Sequence, residues 1–381
     1  MVWRDLANDR QQAAIASELR NTAVIAGPGT GKTLTLLVEA VQLIEEEVVT
    51  PDRIRIVNFT NAGVIDLKSK IVMDSNYSRI SGDNISTFHS LALRALSRVS
   101  GTAIQRPVVI LDDWEESHLV DQFTKAKFGL RDVRQAKRIR EDYDARWCLA
   151  SDDVEDWLSE FRRKEFEQIY SVLKALLGST TRGELTFVWW RYLRNLADPN
   201  PSTTGVDAES LLVDEYQDLN ECEHDILKIL SDNGVSIFAV GDPNQSIYGG
   251  LRHAHPQYCW EFPDRLSEAD LHILVDSYRC PRRVLEMAIA LLGTSDGVPD
   301  PQRSHNDGQA DILTFTSGQA EASGISRIAQ RILRDQPDSR ILIAVPTRNH
   351  AAPFSEMLSS IGVEISGIPT DLTPENSSTG K

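Results

Sequence analysis

The sequence predicts an α/β protein: a parallel sheet carrying a phosphate loop, interrupted by a helical insertion. Three observations carry this expectation. Short apolar runs recur between amphipathic stretches, a glycine-rich string joins the first of these runs to a helix, and residues 101–204 hold few such runs. Strands buried on both faces read as continuous apolar runs, and their alternation with helical periodicity marks parallel α/β sheets.

The runs, in order, are Thr22–Ala26, Ile54–Phe59, Ile85–Phe88, Ser210–Asp214, Val235–Val240, His272–Asp276, Asp311–Phe315 and Arg340–Val345. Leu34, Leu37, Val38, Val41 and Ile44 follow the first at helical spacing. In the block from 101 to 204, Trp157, Phe161, Ile169, Leu173, Leu176 and Leu177 have helix-like spacing, so this block reads as a helical insertion. The turn-rich stretch Asp198–Gly205 returns the chain to the sheet, and a second polar loop covers Thr294–Gln309. Residues 369–381 are rich in Pro, Ser and Thr and are expected to form a disordered tail.

Composition narrows the function. The chain has 381 residues, 41% of them hydrophobic, enough for two or three domains with real cores. Lys and Arg total 40 against 56 Asp and Glu, a net charge of −16, which excludes a globally basic nucleic-acid coat. A phosphate-binding surface must then be a local patch. Cys148, Cys222, Cys259 and Cys280 form no C-x-x-C pair, so neither a disulfide framework nor a zinc knuckle is indicated, and a reducing cytoplasm is the expected setting. The polar N-terminus has no signal-peptide core and no apolar run is long enough for a membrane span, so no membrane association is expected.

The string Ala26-Gly27-Pro28-Gly29-Thr30-Gly31-Lys32-Thr33 follows a strand and opens a helix. In that context the glycines bring backbone N–H groups close to phosphates, and the helix N-terminus adds its dipole. Lys32 is expected at the β- and γ-phosphates, and the Thr33 hydroxyl at Mg²⁺. The run Leu211–Val213 ends in Asp214-Glu215. Asp214 is the second expected Mg²⁺ group, and Glu215 is placed to deprotonate the attacking water.

These residues lie within longer strings. Asp214-Glu-Tyr-Gln-Asp218 is followed by Gly241-Asp-Pro-Asn-Gln-Ser-Ile-Tyr-Gly249. Together they closely resemble the UvrD/Rep-type superfamily 1 DNA helicases, and the Q-S-I-Y string favours the 3′→5′ branch. Asn8-Asp-Arg-Gln11 looks like the family's adenine-reading glutamine motif. Asn58-Phe-Thr-Asn61 and Ser86-Thr-Phe-His89 look like its single-strand-binding motifs, and Leu274–Arg279 like the motif with an adenine-stacking tyrosine and a γ-phosphate arginine. The resemblance runs from about residue 6 to 292 and more loosely to about 366.

The resemblance implies a P-loop RecA-like parallel sheet with a helical insertion and a partial second RecA-like domain. The implied boundaries are 1–100 plus 205–275 for the first motor domain, 101–204 for the insertion and 276–368 for the second. ATP is the implied nucleotide, with Gln11, residues 27–34 (Leu34 included) and Tyr278 around it. Glu215, Gln245, Arg279 and Lys32 are the implied catalytic groups. For DNA, Phe59 and Phe88 are candidates for stacking or for the core. Thr60, Asn61, Thr87 and His89 are candidates for phosphate contacts, with Tyr248 and Arg252 from the Q-S-I-Y region. Lys125, Lys127, Arg131, Arg134, Lys137, Arg138 and Arg140 put seven bases in sixteen residues, a phosphate track or a helix face paired with acids.

Ala62 stands where the family usually has lysine, Gly250 or Leu251 where it has a stacking aromatic, and Ser277 where it has asparagine. Nothing after residue 361 resembles the late motifs of the second motor domain. The implied activity is Mg²⁺-dependent ATP hydrolysis coupled to 3′→5′ movement on single-stranded or tailed duplex DNA, impaired in this chain alone. The alternative is a nucleotide- and DNA-sensing subunit that does not unwind, serving a partner such as the nuclease of a Gabija-like antiphage system. A P-loop kinase or GTPase is disfavoured by the DNA-type motifs.

Overall fold

A computed structural model describes residues 7–99, 109–111, 113–150, 160–196, 203–247, 253–304, 306–346 and 348–365. Six strands form one parallel sheet: β1 (Asn21–Ala26), β2 (Ile54–Asn58), β3 (Ile85–Thr87), β6 (Ser210–Val213), β7 (Ser236–Gly241) and β8 (Ala269–Leu274). The spatial order is β3-β2-β6-β7-β1-β8, every pair parallel. The short β4 (Val109–Ile110) and β5 (Ser179–Thr180) pair separately. Because all six strands run the same way, the loops after β1, β6, β7 and β8 emerge at one edge, where open α/β sheets bind ligands.

The two sheet faces explain the unbroken apolar runs. Ala23, Ile25, Val57, Leu211, Val213, Ile237 and Ala239 enter one core; Val24, Ala26, Ile54, Ile56, Leu212, Phe238 and Val240 enter the other. Side chains alternate in direction along a strand, so apolar residues facing both ways require cover on both sides. The helix Lys32–Glu45 covers the second face through Leu36, Leu37, Val38, Ala40, Val41 and Ile44.

The expected helical insertion is present, as helices Gln122–Phe128, Val133–Cys148, Glu160–Leu177 and Arg182–Arg194. Its aromatic residues Tyr143, Trp147, Phe166, Tyr170, Phe187, Trp189 and Trp190 join the first sheet core without a break. Arg140 is buried within it, bonding Glu116 at 2.7 Å and Asp121 at 2.8 Å. Of the seven clustered bases, Arg140 therefore serves the fold. Burying a guanidinium is tolerable only where carboxylates meet its donors.

The chain divides into two compact units, Met1–Gln309 and Ala310–Lys381. Residues 276–309, assigned from the sequence to the second motor domain, pack with the sheet-bearing unit. The polar loop Thr294–Gln309 contributes directly: Asn244 Nδ2 donates to Asp296 O at 2.6 Å, and Asp300 N donates to Val275 O at 2.9 Å. In the second unit, helices Gly318–Asp335 and Arg348–Ser360 pack together, with Ala322, Ala329 and Leu358 buried and Phe315 lying over Gly324. The expected strands at 311–315 and 340–345 are not strands: the backbone there joins no sheet, and Ile312 and Leu342 are exposed. An apolar run becomes a strand only when a neighbouring strand takes its N–H and C=O groups. The expected tail, 369–381, lies outside the described residues.

Candidate nucleotide and nucleic-acid site

The phosphate loop follows β1 and closes with Gly31 in the left-handed region, φ 93°, as N-cap of Lys32–Glu45. Gly29 is also left-handed, φ 79°. A Cβ at Gly31 would lie 2.5 Å from Gln11 Nε2, and one at Gly29 would lie 2.7 Å from Ser277 Oγ and 2.9 Å from Arg279 Cβ. Only glycine meets both the backbone angle and the crowding. Thr30 is fully buried, its hydroxyl donating to Gly27 O at 2.8 Å. Leu34 is half-buried against the core of its own helix, so what it offers a phosphate is its backbone N–H.

Charged groups converge above the loop. Lys32 Nζ lies 3.4 Å from Glu215 Oε2, and Gln217 Nε2 donates to that same oxygen at 2.8 Å. Gln217 Oε1 accepts from Asp242 N at 2.9 Å, and Gln245 Nε2 donates to Asp242 Oδ2 at 2.6 Å. A continuous chain of contacts thus runs Lys32–Glu215–Gln217–Asp242–Gln245 across the ends of β1, β6 and β7. Glu215 adopts a left-handed backbone, φ 54°, uncommon for a residue with a Cβ and frequent at functional sites.

Asp214 follows β6 directly and is buried. Its Oδ1 accepts from Glu215 N and its Oδ2 from Asn58 Nδ2, each at 3.0 Å. Burial, then repulsion from Glu215, pushes its carboxyl up to about 6, while Lys32 and the hydrogen bonds oppose the rise. Burial likewise raises Asp242, again against Lys32. Three carboxylates thus face one ammonium, and a cation would relieve that imbalance. With Thr33 heading the helix and the glycine cradle beside it, the donor set fits a Mg²⁺-bound nucleoside triphosphate.

The segment after β8 is fastened to the phosphate loop. Tyr278 N donates to Gly29 O and the Ser277 hydroxyl to Pro28 O, both at 2.9 Å. Tyr278 OH accepts from Asn8 Nδ2 at 2.7 Å, and Arg279 is exposed beside Gly29. Gln11 is 1% exposed: its Nε2 donates to Thr30 O at 3.0 Å and its Oε1 accepts from Asn8 N at 2.9 Å. The glutamine expected at an adenine edge is engaged beneath the loop.

The expected DNA residues lie at the same sheet edge, where β2 and β3 pair with Asn58 opposite Thr87. Thr60 accepts from Gly63 N at 3.0 Å and Thr87 from Ser90 N at 3.2 Å, so both hydroxyls cap the helices that follow. Phe59 is half-buried, Asn61 exposed and His89 half-exposed. Phe88 corrects the stacking expectation: it is 2% exposed, with its ring 6.1 Å from Trp189 in the core. Tyr248 and Arg252 lie outside the described residues. Lys127, Arg131, Arg134, Lys137 and Arg138 are exposed, Lys125 partly so.

Sequence reading missed Asn58, Gln217, Asp242 and Asn8 as connectors. All four stand inside the quoted strings, but their partners lie on distant segments. Trp114 and Phe123, exposed on the segment leading into the basic row, had no periodic signal to mark them.

A RecA-like α/β domain with a phosphate loop at its carboxyl edge is the class that this fold and site define. The model of the UvrD/REP helicase N-terminal domain matches residues 7–266, and the chain belongs to that family. It is 26% identical over 309 residues to a protein of Mycoplasma capricolum named probable DNA helicase II homolog, covering 74% of this chain and 40% of that one. It is 26% identical over 308 residues to Escherichia coli DNA helicase II, covering 77% and 41%. Identity to the ATP-dependent DNA helicase Rep of Buchnera aphidicola is 23% over 335 residues, covering 86% and 51%. The chain thus spans about half, or less, of the length of these relatives. Among the described residues, no helix is long and apolar enough to cross a membrane, and all four cysteines are free.

Proposed function

We propose that this chain binds Mg²⁺·ATP at the phosphate loop, hydrolyses it, and couples hydrolysis to 3′→5′ movement along single-stranded DNA. The observation that carries the reading is the convergence of Lys32, Asp214, Glu215 and the Gln217–Asp242–Gln245 chain at the loop. The loop N–H groups and Lys32 would bind the phosphates. Thr33 and Asp214 would hold Mg²⁺, which when bound neutralises phosphate charge. Glu215 would take the proton of the attacking water as its oxygen bonds to phosphorus and the bond to the leaving diphosphate breaks. Arg279, fastened near Gly29 through its neighbours, is the candidate for stabilising charge on the transferred phosphoryl group. Gln245, hydrogen-bonded to Asp242, would relay the state of the phosphate to the segment after it. Phe59, Asn61, His89 and the exposed bases of the insertion are the proposed DNA contacts.

A second reading, the nucleotide- and DNA-sensing subunit that does not unwind, is favoured by one observation. Residues 311–315 and 340–345 join no sheet, so the described residues hold one parallel sheet of motor size. ATP hydrolysis with and without single-stranded DNA, run beside strand displacement on 3′-tailed and 5′-tailed duplexes, separates the readings. The motor reading expects DNA-stimulated hydrolysis and displacement from the 3′ tail. Hydrolysis or binding without displacement would support the sensor, and absence of nucleotide binding would defeat both.

A further inference from the structure

Gly29 and Gly31 answer to a left-handed backbone; Gly27, the first glycine of the phosphate loop, does not. It answers to a neighbour. A Cβ there would fall 2.5 Å from Pro299 Cδ and 2.7 Å from Gly297 O, so the loop is pressed against residues 296–300, which follow the helix Arg282–Leu292. Asp300 N donates to Val275 O at 2.9 Å, two positions before Ser277, whose hydroxyl bonds Pro28 O. Asn244 Nδ2 donates to Asp296 O at 2.6 Å. Gly297 and Pro299 are buried in this fit, and a Cβ on Gly297 would stand 3.1 Å from Asn244 Nδ2 and 3.4 Å from Trp260 Cζ2. Residues 296–300 thus clasp the phosphate loop, the segment after β8 and the turn after β7.

Asn244 sits in that turn, the short 3₁₀ helix Pro243–Gln245. Asp242 holds its inner side: Oδ1 accepts from Asn244 N at 3.0 Å and Oδ2 from Gln245 Nε2 at 2.6 Å. The Asn244 amide holds its outer side, on the clasp. Gln245 itself is exposed, so its place is set by the turn that carries it rather than by packing. One packed segment therefore sets the height of Gln245 against the phosphate loop. A catalytic group misplaced by about 1 Å loses on the order of 10²-fold in rate.

We propose that Asn244 is a positioning residue for hydrolysis: its bond to Asp296 registers Gln245 against the phosphate loop, and residues 296–300 carry that register. This rests on the hydrolysis reading above and deepens it.

The test is a double-mutant cycle on the full chain. Single-turnover hydrolysis, followed for hours, and equilibrium binding of Mg²⁺·ATP are measured for wild type, Asn244→Ala, Gln245→Ala and the double variant. Asn244→Ala should slow hydrolysis on the order of tenfold while ATP affinity stays within about twofold. In the Gln245→Ala background it should change the rate by less than about twofold, because the group it positions is gone. Asn244→Leu, which keeps the bulk and removes the donor, should match Asn244→Ala. Slowing by the same factor in both backgrounds would mean a general structural role and would overturn the inference. So would a wild-type rate in Asn244→Ala or Asn244→Leu; either result leaves the hydrolysis reading intact. A wild type that hydrolyses no ATP, with or without DNA, would overturn the hydrolysis reading and this inference with it.

Discussion

At the ends of β1, β6 and β7, side chains from three strands converge on Lys32; at the ends of β2 and β3, polar groups turn back onto their own helices. Both regions occupy one edge of one sheet, and both carry motif strings of similar length. The nucleotide region is organised by contacts between distant segments, such as Asn58 to Asp214, Gln217 to Asp242 and Ser277 to Pro28. In the neighbouring region Thr60 and Thr87 cap the helices that start there, and Phe88 lies beneath the surface. Where interactions are non-local, a motif defines a site; where they are local, part of the motif serves the fold.

Four substitutions test this contrast between the two regions. The largest effects should fall on stability. Phe88→Ala should cost about 3–5 kcal/mol by opening the core around Trp189. Arg140→Ala should cost about as much by stranding Glu116 and Asp121, on the order of 3–5 kcal/mol. Denaturant titration reads both, and a Phe88→Ala protein of wild-type stability that loses DNA affinity would return this ring to the DNA face. Next, Glu215→Gln keeps the shape of the side chain and removes the base. It should still bind ATP while hydrolysing it at least about 10²-fold more slowly, as single-turnover kinetics would show. Phe59→Ala should be smaller, weakening single-strand affinity by about 1–3 kcal/mol with ATP affinity unchanged in the absence of DNA; fluorescence anisotropy of a labelled oligonucleotide checks it.

A further effect is a pH dependence inside the insertion. Burial lifts the Asp144 carboxyl from 3.8 to about 7, opposed by Arg140 and by the hydrogen bond from the Thr181 hydroxyl. A carboxyl with a higher pKa folded than unfolded holds its proton more firmly in the fold. Its contribution therefore falls as pH rises through the window between those two values, and is flat above it. Asp144→Asn should remove that slope, and denaturation midpoints at pH 5 and pH 8 that shift together in wild type and variant would contradict it.

Much of this was legible in the sequence because it is local. The six sheet strands announce themselves by apolar runs, and the phosphate loop by its glycines between strand and helix. The runs at 311–315 and 340–345 looked the same, but periodicity does not report whether a neighbouring strand is there to pair with. Thr60 and Thr87 were ambiguous for a chemical reason: a hydroxyl that suits a phosphate also suits an N-cap. Phe88 meets a tryptophan roughly a hundred positions later in the chain, and Gln11 is held by a carbonyl of the phosphate loop, so neither environment could be read from spacing.

The strand-end cluster around Lys32 is the proposed nucleotide site. The most direct test is calorimetric titration of Mg²⁺·ATP into wild type and Lys32→Ala, with folding of both verified by circular dichroism. Removing a buried, hydrogen-bonded charge from an interface costs about 2–5 kcal/mol, so the variant should bind at least about thirtyfold more weakly. Equal affinity in the two proteins would contradict the account.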